Sequence, residues 1–214
     1  MTSWLTWFAV GCGVPSNPEP LPYYATREFT PQWFATAPDS FHRIPTFALT
    51  NQHGREVTEA DVAGRVTVAS FFFTRCGGIC PKLTASLKQV ESAFAHDERV
   101  VMMSHSVMPS EDTVPVLRAF ANRHDITSDR WHLLTGDRTQ IYRLGREAYF
   151  AEEDLGLPAD PDAFLHTENV VLVDGDGHLR GIYNGLNTTA VRQLVADVRT
   201  LLVELPPPGV TRAR

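Results

Sequence analysis

Hydrophobic and polar positions along the chain divide it into strands and helices. Residues 66–73 and 100–107 are nearly continuous apolar runs, which is typical of strands buried on both faces. Between these runs, apolar side chains recur at helical spacing on one face, at Leu83, Leu87, Val90 and Phe94. A helix that joins two buried strands predicts a parallel strand–helix–strand unit.

Upstream of this unit the pattern predicts a hairpin followed by a short helix. Residues 46–50 alternate like a strand, residues 51–54 supply a turn, and residues 55–57 return. Thr58 then begins a short helix that Gly64 closes.

Downstream the pattern predicts a helix, a strand, a helix, a second hairpin and a final helix. Asp112 and Thr113 lie just ahead of the first of these helices, Asp137 caps the second, and Thr188 caps the last. The strand and the two arms of the hairpin fall at residues 131–134, 169–174 and 178–183. This order predicts an α/β fold, a thioredoxin-like sandwich whose central mixed sheet is flanked by helices, with an N-terminal hairpin and a long loop insertion.

Two stretches lie outside the periodic pattern. Residues 150–165 are acidic and contain prolines, and a loop of that length usually covers a site or moves. The region before the first hairpin is rich in proline and aromatic residues, and we expect part of it to pack on the domain. We therefore predict four parts: residues 1–20 are a signal or anchor and tail, 21–43 a lead-in, 44–205 the thioredoxin-like domain, and 206–214 a tail.

Composition narrows the class of protein. A chain of 214 residues with a hydrophobic fraction of 43% suits one domain plus appendages. The net charge of −6 and the absence of basic clusters argue against nucleic acid as a partner. Three cysteines are too few for a disulfide scaffold, so a close pair of them indicates a redox or metal motif.

The N-terminal residues carry a candidate membrane anchor. Residues 4–10 are apolar and Gly11 precedes Cys12, which is the pattern of a bacterial lipoprotein signal whose cysteine becomes lipidated. This predicts a protein of the bacterial cell envelope, on the periplasmic side, anchored to the membrane through Cys12. No Lys or Arg precedes the short apolar run, so a truncated start or a tail with an incidental cysteine stays open as an alternative. Nothing in the chain is long enough to span a bilayer as a helix.

The candidate chemistry lies where the first buried strand ends. Cys76 falls in a tight loop and Cys80 just before the helix, with Pro81 suited to the helix's first turn. Unpaired N–H groups and the positive end of the helix dipole favour thiolate there. Gly77 and Gly78 are expected to let the loop curl so that the two sulfurs converge. The alternative, two small buried hydrophobic residues, fits a glycine-rich loop poorly.

Two thiolates do not close a structural zinc site, which needs four ligands, but they suit Cu(I) together with one imidazole. His166 is the candidate third ligand, because it ends the long loop just before the strand at residues 169–174. A lone histidine in a loop is more often a solvated side chain than a ligand. Of the other histidines, His105 sits inside a strand pattern and is expected to be buried.

The chain resembles the SCO/SenC family of copper-binding thioredoxin-like proteins. The matching stretches are PYYATREFTPQW (22–33), FFFTRCGGICPKLTASL (71–87), SVMPSEDT (106–113), WHLLTGDRTQIYRL (131–144) and LHTENVVLVDGDGHL (165–179). The family's motif, two cysteines separated by three residues and followed by proline, falls on Cys76, Cys80 and Pro81, and its metal-binding histidine falls on His166.

The resemblance implies that residues 44–205 are a copper-binding domain in which Cys76, Cys80 and His166 bind Cu(I) and/or Cu(II). It also implies a metallochaperone that assists assembly of the copper centre of respiratory cytochrome c oxidase. The partner would be the copper-accepting subunit of the oxidase or another copper chaperone. One departure from the family is Met108, which replaces the usual acid after Ser-Val; that acid is not a metal ligand.

Two enzymatic alternatives share the fold. In a thiol–disulfide oxidoreductase that keeps acceptor cysteines reduced, Cys76 and Cys80 would be catalytic, one attacking and the other resolving. A peroxidase of the peroxiredoxin type would share the Thr-x-Cys turn but would need neither Cys80 at that spacing nor His166.

Overall fold

A mixed sheet of seven strands forms the centre of the structure, a computed structural model that describes residues 19–151 and 167–205. The strands are β1 Ala48–Asn51, β2 Glu56–Thr58, β3 Val66–Phe72, β4 Val100–Ser106, β5 Trp131–Thr135, β6 Asn169–Val173 and β7 Leu179–Asn184. The helices are α1 Glu59–Val62, α2 Ile79–Ala93, α3 Val114–Arg123, α4 Arg138–Arg143 with a π-helical turn at Leu144–Ala148, and α5 Thr188–Glu204.

The strand order is β2-β1-β5-β4-β3-β6-β7. Strands β3, β4 and β5 run parallel, and α2 connects β3 to β4, as the two buried apolar runs predict. Strands β1 and β6 run antiparallel to this group, pairing with β5 and β3, and the edge strands β2 and β7 pair antiparallel with β1 and β6. A mixed sheet flanked by helices confirms the predicted thioredoxin-like fold class.

Helices cover both faces of the sheet, which is why every residue of β3 is buried. Val68 and Phe72 face the layer of α2, α3 and α5, whereas Ala69 and Phe71 face α4 and the π-helical turn. Because successive side chains in a strand alternate between faces, one continuous apolar strand supplies both cores. The edge where β3 ends therefore rests on packed layers on both sides.

The predicted start of α1 is confirmed, whereas that of α5 is corrected. Thr58 begins α1, where Asp61 accepts the Thr58 N–H, and Gly64 follows the helix with φ of 73°. The cap of α5, however, is Asn187 rather than Thr188, since the Asn187 side-chain oxygen accepts the N–H groups of residues 189 and 190 at 2.8 and 3.1 Å. Asn and Thr are both favourable N-cap residues, so the helix can begin one position earlier and still have a good cap.

The lead-in is tied to the domain by one buried cation. The Arg180 side chain is only 3% exposed and forms ion pairs with Asp174 and Glu204 at 3.1 and 3.0 Å. Its remaining N–H groups donate to the carbonyl oxygens of Leu21 and Pro22, and its guanidinium lies 4.0 Å from the centre of the Tyr23 ring. The four-part division of the chain stays a prediction.

Several predicted features lie outside the described residues, among them Cys12, His166, residues 206–214 and nearly all of the acidic loop. In residues 19–151 and 167–205, no helix has both the length and the apolar character needed to cross a membrane.

Candidate metal and thiol site

Cys76 and Cys80 lie where β3 passes into α2. Cys76 is half-buried in the connecting loop, and Cys80 is 5% exposed. Cys80 is the second residue of α2 rather than the residue just before it, because the helix begins at Ile79. Pro81 is compatible with this earlier start, since no N–H in the first turn of a helix has an intrahelical partner.

The two sulfurs converge at the helix N-terminus. The N–H of Cys80 donates to Cys76 Sγ at 3.4 Å, and the Cys80 thiol is within hydrogen-bonding reach of the same sulfur. Burial opposes ionisation of Cys76, but the hydrogen bonds from the Cys80 thiol and from the N–H groups of residues 78–80 outweigh it and lower the pKa of Cys76. Both cysteines are free.

Cys80 has the opposite character. Burial, with the hydrogen bond to Cys76, raises the pKa of the Cys80 thiol to about 12. The pair therefore consists of an accessible, more acidic thiol at Cys76 and a buried, proton-bearing thiol at Cys80. Such a pair can supply two sulfur ligands to a soft metal ion, or it can close into a disulfide.

The convergence does not depend on left-handed glycine backbone. Neither Gly77 nor Gly78 has a positive φ, and a Cβ added to either would meet nothing within 4 Å among the described residues. The expectation that these glycines let the loop curl stays a prediction. Toward the described residues, the outer side of the loop is open.

A buried carboxylate beneath the loop was missed by sequence reasoning. Asp112 is fully buried and accepts hydrogen bonds from Thr74 and Ser106. From the sequence, Asp112 was predicted only to lie ahead of α3. A signal for its second role was present, because the ends of the parallel strands β3 and β4 must meet at one edge of the sheet.

Met108 lies on the turn that follows β4, and this turn contacts the cysteine loop. Arg75 and Glu111 form an exposed ion pair at 2.8 Å across the two segments. Met108 is half-buried and packs on the apolar cluster to which Phe73 and Phe150 also belong. In this position its thioether is part of an apolar contact.

The structure confirms that His105 is buried, and it leaves His166 outside the described residues. The described chain resumes at Thr167, where the Glu168 carbonyl accepts the Gly185 N–H at 2.9 Å. Gly185 abuts α2, since a Cβ added there would lie 2.3 Å from Leu83 Cδ1. In residues 19–151 and 167–205, no three His, Cys, Asp or Glu side chains come together in a way that could hold a metal ion.

Comparisons of this sequence with a family model and with known proteins both find SCO1/SenC proteins. The SCO1/SenC family model matches residues 35–203. A SCO1 protein homolog of Bacillus subtilis is 29% identical over 161 residues, which are 74% of this chain and 82% of that protein.

Solved structures share the fold. A SCO1/SenC family lipoprotein from Bacillus anthracis is 27% identical with a TM-score of 0.65, covering 75% of this chain and 95% of that one. BsSco, described as a member of the Sco family of cytochrome c oxidase assembly proteins with a disulfide switch, is 28% identical with a TM-score of 0.64, covering 76% and 94%. Bradyrhizobium japonicum ScoI with copper bound is similar in fold, at 24% identity and a TM-score of 0.58, covering 73% and 98%.

Proposed function

The chain belongs to the SCO1/SenC family, and from that membership we propose that it is a copper-binding metallochaperone that assists assembly of the copper centre of respiratory cytochrome c oxidase. The observation that carries the proposal is the contact between the sulfurs of Cys76 and Cys80 at the end of β3. The similarity to BsSco, a member of the Sco family of cytochrome c oxidase assembly proteins, supports the proposed role in oxidase assembly.

The donor set suits copper better than the harder metals. Thiolate sulfur selects soft ions such as Cu(I), and the addition of one imidazole also accommodates Cu(II). Cys76 and Cys80 would supply the two sulfurs, and we assign the imidazole to His166 from its place in the sequence. Bound copper would leave Cys80 without its proton, because a metal ligand must be the thiolate.

We propose that a partner that exchanges copper with this site approaches it from the outer side of the cysteine loop. No described residue lies within 4 Å of a Cβ added at Gly77 or Gly78, and the side chain of the neighbouring Arg75 is 77% exposed. We propose that the partner is the copper-accepting subunit of the oxidase or another copper chaperone. Cys76 would be the first sulfur that such a partner reaches, because Cys80 is buried behind it.

A second candidate, a thiol–disulfide oxidoreductase that keeps the acceptor's cysteines reduced, is favoured by the unequal thiols. The lowered pKa and partial exposure of Cys76 suit the attacking thiolate, and the buried Cys80 suits the resolving thiol. Copper titration separates the two functions, since this second role requires no metal.

Reduced protein is expected to bind one copper through two sulfurs and one nitrogen. His166→Ala should weaken copper binding by more than the about 10- to 100-fold typical of residues that only orient a ligand, because it removes the nitrogen ligand itself. His96→Ala is the matched control, since His96 is exposed on the described surface and should leave affinity unchanged. The measurement is a Cu(I) competition titration with X-ray absorption of the bound form. Full retention of copper and an unchanged spectrum in His166→Ala would remove that residue from the site.

We propose that the protein lies on the periplasmic side of the cell envelope and is anchored through a lipid on Cys12. The similarity to a SCO1/SenC family lipoprotein from Bacillus anthracis supports this proposal. The native protein is expected to partition into the detergent phase in Triton X-114, and Cys12→Ser into the aqueous phase. Mass spectrometry that finds an intact Met1 and a free Cys12 thiol in the native host would contradict the anchor.

A further inference from the structure

Asp112 joins the two segments that follow β3 and β4. Its carboxylate accepts the Thr74 N–H at 3.1 Å, the Thr74 hydroxyl at 2.5 Å and the Ser106 hydroxyl at 2.6 Å. Asp112 is completely buried, so these donors replace the water that would otherwise solvate its charge. Hydrogen bonds to an ionised acceptor are shorter and stronger than those between neutral groups.

The segment that presents this carboxylate is itself held in place. The Asp112 N–H donates to the Met108 carbonyl at 2.9 Å, and the Met108 N–H donates to Ser106 Oγ at 3.1 Å. The Val107 N–H donates to the Phe72 carbonyl, which extends the pairing of β4 with β3. The carboxylate is therefore fixed relative to the sheet before it contacts the cysteine loop.

Thr74 transmits this position to the sulfurs. It lies two residues before Cys76, whose N–H donates to the Phe73 carbonyl at 3.3 Å. The Phe73 backbone also forms a hydrogen bond with the Cys80 thiol. The turn that begins at Phe73 thus contacts both cysteines, and Thr74 is where Asp112 holds that turn.

We propose that Asp112 is a positioning residue that sets the spacing of Cys76 and Cys80 by holding Thr74. This inference deepens the proposed function, on which its copper readout rests. Without the carboxylate the loop loses its attachment to the turn after β4, and the two sulfurs spend less time within bonding distance. Both disulfide closure and two-sulfur metal binding then weaken, because each depends on the effective concentration of one sulfur at the other.

The test measures the thiol equilibrium without metal. The two thiols of Cys76 and Cys80 are oxidised to one disulfide while oxidised glutathione is reduced to two glutathione thiols. Asp112→Ala is expected to lower the equilibrium constant for closure at least tenfold, which corresponds to a potential about 30 mV higher. Copper affinity of the reduced protein should fall by about 10- to 100-fold, as for other residues that orient ligands.

Asp61 provides a matched control. It accepts the N–H and the hydroxyl of Thr58 at 2.8 and 3.2 Å, the same donor types that Asp112 takes from Thr74, but it does so at α1. Asp61→Ala should therefore leave both the thiol equilibrium and copper affinity within about twofold of wild type. Asp112→Asn, which keeps an acceptor for Thr74, should recover most of the loss seen in Asp112→Ala.

The possible results distinguish a failure of the positioning role from a failure of the proposed copper function. A folded Asp112→Ala protein whose thiol equilibrium is unchanged would overturn the positioning role. If Asp112→Ala does not fold, Thr74→Val decides, because it removes only the hydroxyl donor; a threefold or larger loss supports the proposal and an unchanged equilibrium overturns it. Failure of wild-type protein to bind copper would contradict the proposed function alone, since the thiol equilibrium still reports on Asp112.

Discussion

Oxidation of the dithiol is expected to abolish copper binding. A disulfide between Cys76 and Cys80 consumes both sulfur ligands and leaves one imidazole, so affinity should fall by at least about three orders of magnitude. The sulfurs already converge in the reduced protein, where the Cys80 N–H lies 3.4 Å from Cys76 Sγ. Closure therefore needs little movement, and the domain should remain folded.

The experiment uses a Cys12→Ser background, so that the only thiols are those of the pair. Metal-free protein is oxidised with oxidised glutathione, the loss of two thiols is checked by alkylation, and Cu(I) is titrated before and after a reductant is added. Addition of reductant should restore binding. Cys76→Ser should bind copper weakly because it lacks one sulfur ligand, and equally under both conditions because it cannot form the disulfide. Equal affinity in the oxidised and reduced forms would place the copper ligands elsewhere.

The free energy of unfolding is expected to fall steeply below neutral pH. His105 and His132 are buried, and burial lowers the pKa of each to about 4 from the ordinary value of 6.5. For His105, burial outweighs the hydrogen bond that Nδ1–H donates to the Ser70 carbonyl at 3.2 Å, which by itself raises the pKa of the ring. Among the described residues the His105 Nε2 has no partner, and His132 Nδ1 accepts from the Asn51 amide at 3.4 Å, so neither nitrogen has an acceptor for an added proton.

The direction of this pH effect depends on whether the folded or the unfolded chain binds protons at the higher pH. As pH falls below 6.5, the unfolded chain protonates these rings while the folded chain does not, so stability is complete above pH 6.5 and is lost progressively towards pH 4. Well below pH 6.5 each ring contributes about 1.4 kcal/mol per pH unit, and because the unfolded rings are only half protonated at pH 6.5, the pair removes about 3 kcal/mol between pH 6.5 and 5. That is a large fraction of the stability of an ordinary domain.

Urea unfolding of the reduced, metal-free protein at a series of pH values measures this loss. His105→Asn keeps a donor for Ser70 but cannot titrate, and its pH slope should be about half that of wild type. His96→Ala is the control, because His96 is exposed and should leave the slope unchanged. Identical slopes in wild type and His105→Asn would show that burial of His105 does not control the acid sensitivity.

Long segments with one dominant signal were predictable from the sequence. Strands β3 and β4 are uninterrupted apolar runs buried on both faces, and α2 repeats an apolar side chain every three or four residues. The first residue of each helix was less predictable, because neighbouring residues can start a helix almost equally well. Asn187 and Thr188 are adjacent cap residues, and Pro81 is compatible with more than one helix start.

The same distinction applies to the site: residues whose role depends on local sequence were predictable, and residues whose role depends on tertiary contacts were not. Cys76 and Cys80 were predictable because their chemistry and spacing are local in the chain. Asp112 was not, since it lies 38 residues from Thr74 in sequence and meets it only after β3 and β4 have paired. The unequal character of the two thiols also depends on tertiary packing, because burial by the surrounding core contributes most to the raised pKa of Cys80.

The Arg180 contact with Leu21 and Pro22 attaches the lead-in at one end of the sheet. Leu179 pairs with Val173, and Val173 lies beside Thr67 at the start of β3, whereas Cys76 follows its end. This attachment and the dithiol are thus separated by the length of a strand, about 20 Å. With a lipid on Cys12, nine residues before Leu21, the tether spans at most about 30 Å. A lipid there would hold the domain by the end of the sheet opposite its cysteines.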